Sequence, residues 1–101
     1  MDVTMPEGAS KRFRCKVPDG RGGWKNLTGY TVIGKLRATV GAAPVVTLSG
    51  SVDSADPTVA YVDLRASDTA TRGGAVYKLE LSAESGDLAH KAVVRVEITD
   101  V

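Results

Sequence analysis

Cysteine, histidine and aromatic residues are scarce in this sequence. Its 101 residues include one cysteine, one histidine and five aromatics. A lone cysteine, Cys15, excludes an internal disulfide, and a structural zinc site needs about four Cys or His ligands. No segment approaches the roughly 20 apolar residues of a membrane span. We therefore expect an aliphatic core held by packing alone, with no bound zinc and no membrane partner.

Residues that carry catalysis are equally sparse. His90 is the single candidate base, and no serine or cysteine lies in a recognisable nucleophile motif. Asp53 and Asp56 are the nearest approach to a calcium site, but turn formation explains them better. Gly20–Gly23 has neither the Lys-Ser/Thr ending nor the helix of a phosphate loop, which favours a hairpin loop. We predict a protein that is not an enzyme and has no cofactor.

The composition is that of a folded globular chain. Hydrophobic residues make up 43% and charged residues 25% of the sequence, values far from those of disordered chains. A chain of this size fits one domain. The first ten residues lack the basic-then-apolar layout of a signal peptide. We predict one domain over residues 1–101, synthesised in the cytoplasm.

Short segments of period two lie between turn signals. This pattern indicates strands, and no helical stripe longer than two turns is present. Ser67 or Asp68 is expected to cap a single helical turn that ends at Gly73-Gly74, and Glu84–Asp87 is expected to form a hairpin turn. The predicted strands are Lys11–Val17, Tyr30–Arg37, Val45–Ser49, Thr58–Leu64, Val76–Ser82 and His90–Thr99. Six or seven short strands without βαβ spacing predict an all-β fold, an antiparallel immunoglobulin-like β-sandwich.

The first of these strands has one apolar and one basic face. Phe13, Cys15 and Val17 alternate with basic residues, so the apolar set is expected to face the core. The basic set, together with the preceding lysine, is a candidate partner-binding face: Lys11, Arg12, Arg14 and Lys16. Two apolar residues are further candidates. Trp24, beyond the glycine-rich turn, either folds back as a lid or remains exposed as an anchor for a partner, and Ile33 lies opposite the apolar face of its strand.

The same region supports an alternative hypothesis. Six basic residues and Trp24 lie between Lys11 and Lys25, and basic side chains with an interleaved aromatic are able to track phosphates and stack bases. The net charge of only +1 and the single exposed aromatic argue against nucleic acid. Docking on another protein is therefore the preferred interpretation, and a nucleic-acid-binding module is the alternative.

Charge is unevenly divided along the chain. Residues 1–50 contain eight Lys/Arg and three Asp/Glu, whereas residues 51–101 contain five and nine. Opposite charges of this kind are able to bring copies together head to tail. The halves of a sandwich sequence interleave in space, however, so charges scattered over a solvated surface are the simpler interpretation.

Several short motifs occur in an order typical of one group of proteins. These are Asp19-Gly20, Asn26-Leu27-Thr28-Gly29-Tyr30, a strand ending in Arg37, Ala66-Ser67-Asp68-Thr69-Ala70, and Gly74-Ala75-Val76-Tyr77. With them the chain resembles the small immunoglobulin-like structural proteins of tailed bacteriophages. It is also similar to the N-terminal docking module of the baseplate proteins that carry receptor-binding proteins. Departures include Asn26 in place of the usual acid and Ala92 where glycine is common.

The resemblance implies a structural role in the virion. A member of this group is not catalytic, is present in many copies on the particle and has other phage structural proteins as partners. Two placements follow from it, an adaptor on the tail or baseplate and a decoration protein on the capsid surface.

Overall fold

The computed structural model of the chain describes residues 2–39, 41–86 and 88–100, which are mostly β-strand. The elements in chain order are β1 (Asp2–Pro6), β2 (Lys11–Cys15), β3 (Thr31–Arg37), β4 (Pro44–Val52), β5 (Ala60–Leu64), α1 (Ala66–Thr69), β6 (Ala75–Ser85) and β7 (Leu88–Thr99). The all-β prediction is confirmed. Within these ranges, no helix is long and apolar enough to cross a membrane.

The strands form one curled sheet in the order β1-β7-β6-β3-β4-β5-β2. β4 produces the curl because its residues 44–49 pair with β3 and its last three residues pair with β5. Two layers result: one contains β1, β7, β6 and β3, and the other contains β5 and β2. The order therefore ends at β1 on one layer and at β2 on the other.

The prediction of a wholly antiparallel sandwich is wrong at β1. This strand pairs parallel with β7, from Asp2 opposite Arg95 to Pro6 opposite Thr99, while the other five pairings are antiparallel. No hairpin joins β1 to β7, so the two strands are free to pair in parallel. After β1 the chain crosses to the other layer, where β2 begins. The strand itself was missed, although Val3 and Met5 alternate with polar residues.

The core consists of alternate aliphatic side chains from both layers. Buried residues include Val94, Val96 and Ile98 of β7 and Val62 and Leu64 of β5, as their spacing predicts. Phe13 is the aromatic residue among the buried side chains, while Tyr77 is half-buried and packs against the core. The expectation of an aliphatic core is confirmed.

Two glycines lie where the layers come close together. A Cβ on Gly34 would lie 2.7 Å from Val62 Cγ1, and a Cβ on Gly50 would lie 2.6 Å from both the Tyr61 carbonyl oxygen and Val32 Cγ1. Real Cβ atoms do not approach other atoms this closely. Gly50 begins the segment of β4 that pairs with β5, so its missing side chain allows β4 to pass from one layer to the other.

The single helical turn is present, with a different cap from the one predicted. Arg65, rather than Ser67 or Asp68, is the N-cap residue, and the Asp68 carboxylate accepts the Arg65 N–H at 2.8 Å from inside the turn. The helix ends at Thr69, before Gly73-Gly74. Thr69 is fully buried; its hydroxyl accepts the Gly8 N–H at 3.0 Å and donates to the Ala9 carbonyl at 2.8 Å. The turn thus fixes the link between β1 and β2.

The last two strands form the predicted hairpin. β6 ends at Ser85 and β7 begins at Leu88, with these two residues opposite each other. The expected turn at Glu84–Asp87 is therefore shorter than predicted, because Glu84 and Ser85 belong to the strand. Asp87 lies outside the described residues.

Candidate docking surface

The predicted basic face lies along the outer side of β2. Arg12 and Arg14 are exposed there, and Lys16 follows the end of the strand. Lys11 is not part of this face: it alternates with Arg12 on the side of Phe13 and is exposed because it begins the strand. The structure therefore brings three of the four predicted cations together.

Arg12 is engaged within the chain. Its Nε lies 2.8 Å from Asp63 Oδ1 and its Nη2 lies 3.1 Å from Oδ2, and its guanidinium carbon lies 4.1 Å from the centroid of the Tyr61 ring. The hydrogen bond to Asp63 raises the pKa of Arg12, and the same bond lowers the pKa of the Asp63 carboxyl. Of the cations on this face, Arg14 and Lys16 remain for an external partner.

Carboxylates border these two cations on the outer side. Arg14 and Lys16 line an open groove together with Asp53 and Asp56. Asp53 accepts the Ala55 N–H at 2.9 Å, and Asp56 accepts the hydroxyl and N–H of Thr58 at 2.6 and 3.1 Å. Both aspartates form turns, as predicted. Hydrogen bonds from Thr58 chiefly lower the pKa of Asp56, and the charge of Lys16 contributes.

Metal-ligating residues do not cluster in the part of the chain that the structure describes. Over 2–39, 41–86 and 88–100, no three His, Cys, Asp or Glu residues come together as a set that is able to hold a metal ion.

The glycine-rich segment is a hairpin loop, as predicted, and it presents Trp24. Asp19 Oδ1 accepts the N–H groups of Arg21 and Gly23 at 2.7 and 3.2 Å, and the Lys25 N–H donates to the Val17 carbonyl at 2.7 Å. These bonds close the loop with Trp24 opposite Pro18.

Trp24 extends the basic face with an apolar surface. The residue is 51% exposed, and Lys16 Nζ lies 5.3 Å from its ring centroid, within the range of a cation–π contact. Trp24 therefore presents an apolar surface to a partner, directly beside one of the two available cations.

Ile33 lies apart from this surface. It is half-buried on the outer side of β3, opposite Ser49 of β4 and Ser82 of β6. Two strands separate β3 from β2 in the sheet order. Ile33 is therefore not part of one site with Trp24 and the basic residues.

The free edge of β2 is a feature that the sequence did not reveal. The Asp53 N–H donates to the Val59 carbonyl at 2.9 Å, which directs the Val59 backbone toward β4. Backbone N–H and C=O groups alternate in direction along a strand, so those of Ala60, the residue after Val59, point toward β2, where Ala60 pairs with Cys15. The N–H and C=O groups of Arg12 and Arg14 consequently point away from β5. Among the described strands, none pairs with this edge.

A cleft of about 340 Å³ opens beside this edge, between the two layers. Cys15, Val17 and Pro18 line one wall. The opposite wall comes from β6 and β7 and includes Leu81, Ala83, Ala89, His90 and Ala92, and Lys16 and Lys91 also border the cleft. Burial raises the pKa of the Cys15 thiol, which agrees with a position against the core rather than in solvent.

His90, the single candidate base of the sequence, lies in this wall. It is half-buried, its ring centroid lies 6.2 Å from that of Tyr30, and its Nε2 is buried. This nitrogen has no hydrogen-bond partner among the described residues. His90 thus contributes a polar atom to a mainly apolar wall of the cleft.

Comparison with solved structures identifies the fold. Two crystal structures of a complex between titin M10 and an obscurin-like 1 Ig domain are similar to the chain. The first, a complex with a mutant, has a TM-score of 0.55 at 16% identity over 99% of this chain and 86% of the other. The second has a TM-score of 0.52 at 18% identity over 99% and 87%. The fold is immunoglobulin-like.

Sequence comparison adds no family to this assignment. No protein-family model matches the chain, and no curated protein matches it. At 16 to 18% identity, the likeness to the titin and obscurin-like domains concerns the fold alone.

Proposed function

We propose that the chain is a non-enzymatic structural protein of a bacteriophage virion, an immunoglobulin-like module that docks on or decorates the particle in many copies. Its partners are other phage structural proteins at the tail, baseplate or capsid surface. The observation that carries the proposal is the exposed surface of Arg14, Lys16 and Trp24 beside the free edge of β2. An exposed aromatic flanked by cations is typical of protein-binding surfaces.

The motifs shared with phage proteins have structural roles, which supports a common scaffold. Asn26 Oδ1 accepts the Thr28 N–H at 2.9 Å, Leu27 is fully buried, and Gly29 has a φ of +84°. This turn secures the chain directly after Trp24. The motif beginning at Ala66 forms α1 and contains the buried Thr69. These motifs hold the loops in place, and the exposed residues between the motifs are free to vary so that each protein of this kind fits its own partner.

The nucleic-acid alternative has less support. Asp63 pairs with Arg12, and Asp53 and Asp56 lie beside the remaining cations. Two free cations on this face supply few of the phosphate contacts on which affinity for nucleic acid depends. We expect no salt-dependent affinity for single- or double-stranded DNA, whereas binding that falls steeply with added salt would favour this alternative.

Quantitative mass spectrometry of gradient-purified particles tests the proposal. We expect the protein at the same copy number in independent preparations, in a whole-number ratio to a known ring or shell protein, as symmetric assembly requires. Its absence from purified particles would overturn the proposal.

A charge-reversal pair tests the surface itself. Arg14→Glu with Lys16→Glu should reduce incorporation into particles. Lys35→Glu with Lys78→Glu is the matched control, because it makes the same charge change on β3 and β6, away from the docking surface. Equal incorporation of both double variants would show that another surface makes the contact.

A further inference from the structure

We infer that the open side of the sandwich, between the edge of β2 and the first half of β7, accepts an extended acidic segment of a partner protein as an added β-strand. The inference rests on the proposed docking function and deepens it by giving the chemistry of the partner. It does not depend on the position of the protein in the particle.

The backbone of β2 supplies the pairing groups. The N–H and C=O groups of Arg12 and Arg14 point away from β5, and no described strand covers them. Unpaired groups in a row along an edge are a template for another strand. β2 is short and carries no proline or bulge that would block pairing.

The cleft specifies one face of the incoming strand. Side chains of a strand alternate between two sides, so a strand on this edge directs every second side chain toward the side of Phe13 and Cys15. That side opens into the cleft, where Val17 lines one wall and Ala83 and Ala92 line the other. Small apolar side chains fit this space and would remove its apolar walls from water.

The charges specify the remaining side chains. The other side chains of the added strand lie on the outer side of β2, beside Arg14 and Lys16, and no carboxylate is among the described residues that line the cleft. A segment that alternates small apolar residues with aspartate or glutamate matches both the apolar wall and the cations.

A second copy of this chain fits the edge less well. Two copies joined edge to edge through β2 would bring Arg12 and Arg14 of one copy next to the same residues of the other. Like charges on adjacent strands are unfavourable. The partner is therefore a different protein.

Amide hydrogen exchange followed by NMR tests the inference on the full chain. In the free protein, we expect the amides of Arg12 and Arg14 to exchange much faster than those of Phe13 and Cys15, which pair with β5. The probe is an acetylated, amidated peptide of alternating aspartate and valine. At saturation it should slow exchange of the Arg12 and Arg14 amides by about tenfold or more, as new hydrogen bonds require. A lysine–valine peptide of equal length is the control and should give no protection.

A pair of adjacent substitutions locates the binding site. Ala92 is exposed and lines the cleft, whereas Val93 is exposed on the opposite face of β7. Ala92→Glu places a bulky negative charge in the cleft and should weaken binding of the aspartate–valine peptide by about tenfold. Val93→Glu makes the same charge change outside the cleft and should leave the affinity nearly unchanged.

Several results would overturn the inference. These are an absence of protection by the acidic peptide, equal protection by both peptides, and equal effects of the two glutamate variants. If the protection of the Arg12 and Arg14 amides rises with protein concentration when no peptide is present, the edge pairs with a second copy of the chain. The outcome is independent of the virion proposal: peptide binding without incorporation into particles rejects only the virion role, and incorporation unaffected by Ala92→Glu rejects only the cleft.

Discussion

Arg12 and Asp63 lie directly opposite each other on β2 and β5 and are joined by two hydrogen bonds, from Nε to Oδ1 at 2.8 Å and from Nη2 to Oδ2 at 3.1 Å. Tyr61 packs against the same guanidinium. The pair ties the edge strand to its one neighbour and neutralises the first cation of the basic face. Arg14 and Lys16, rather than the whole basic set, are therefore the cations that a partner meets.

Arg12→Gln should raise the pKa of Asp63 toward its ordinary value. In the folded protein the hydrogen bond from Arg12 lowers this pKa, so its contribution to stability is present above the unfolded-state pKa and is lost as the pH falls through the folded-state value. Titration of the Asp63 carboxyl carbon by NMR measures the shift. Urea unfolding should show a small difference between wild type and Arg12→Gln at neutral pH that disappears in acid.

Lys11→Gln is the control for this prediction, because it removes a neighbouring exposed charge from the other side of β2. An unchanged Asp63 pKa in Arg12→Gln would show that the ion pair is not populated in solution.

Gly50→Ala should destabilise the fold by about 1–3 kcal/mol, the usual cost of forcing atoms into a packed region. The added methyl group would lie 2.6 Å from the Tyr61 carbonyl oxygen, and this backbone atom is not able to move without shifting β5. Chemical denaturation measures the change. Gly23→Ala is the control, since a methyl group there meets only the flexible Asp19 carboxylate, at 3.1 Å. Equal stability of the two variants would contradict the proposed close approach of the layers.

Thr69→Val should cost about 1–3 kcal/mol of unfolding free energy, because it leaves the Gly8 N–H and the Ala9 carbonyl without their partner. Thr69→Ser keeps the hydroxyl and should recover most of the loss. Thr47→Val, at an exposed position of β4, should change stability little. If Thr69→Val and Thr47→Val have the same effect, the hydroxyl does not hold the link between β1 and β2.

Local patterns were sufficient to predict most strands and their buried faces. The alternation of Val94, Val96 and Ile98 predicts both β7 and its inward side. The core-facing residues of a strand follow from this local pattern, whichever strands lie beside it. The prediction failed for β1, which has only Val3 and Met5 as an apolar signal and pairs with a strand at the other end of the chain. A five-residue strand gives a weak pattern by itself.

The candidate site was less predictable because it depends on strand pairing. The basic residues and Trp24 are close in sequence, so their proximity follows from one strand and one loop. Arg12 and Asp63 are 51 positions apart, and nothing local indicates that they meet. The free edge and the cleft likewise depend on which strands are neighbours, and this is decided by the packing of the whole sheet.

Trp24→Ala should leave the free energy of unfolding within about 0.5 kcal/mol of the wild type, as expected for an exposed position, while reducing incorporation into particles. Trp24 is 51% exposed, and its ring contacts the flexible side chain of Lys16. The loop is closed by Asp19 and by backbone bonds that do not involve the indole. Val76→Ala is the control, because Val76 is also apolar and exposed but lies on β6. It should affect neither stability nor incorporation. A large loss of stability in Trp24→Ala would assign the indole to the fold as a lid, and the docking contact would then be limited to Arg14, Lys16 and the edge of β2.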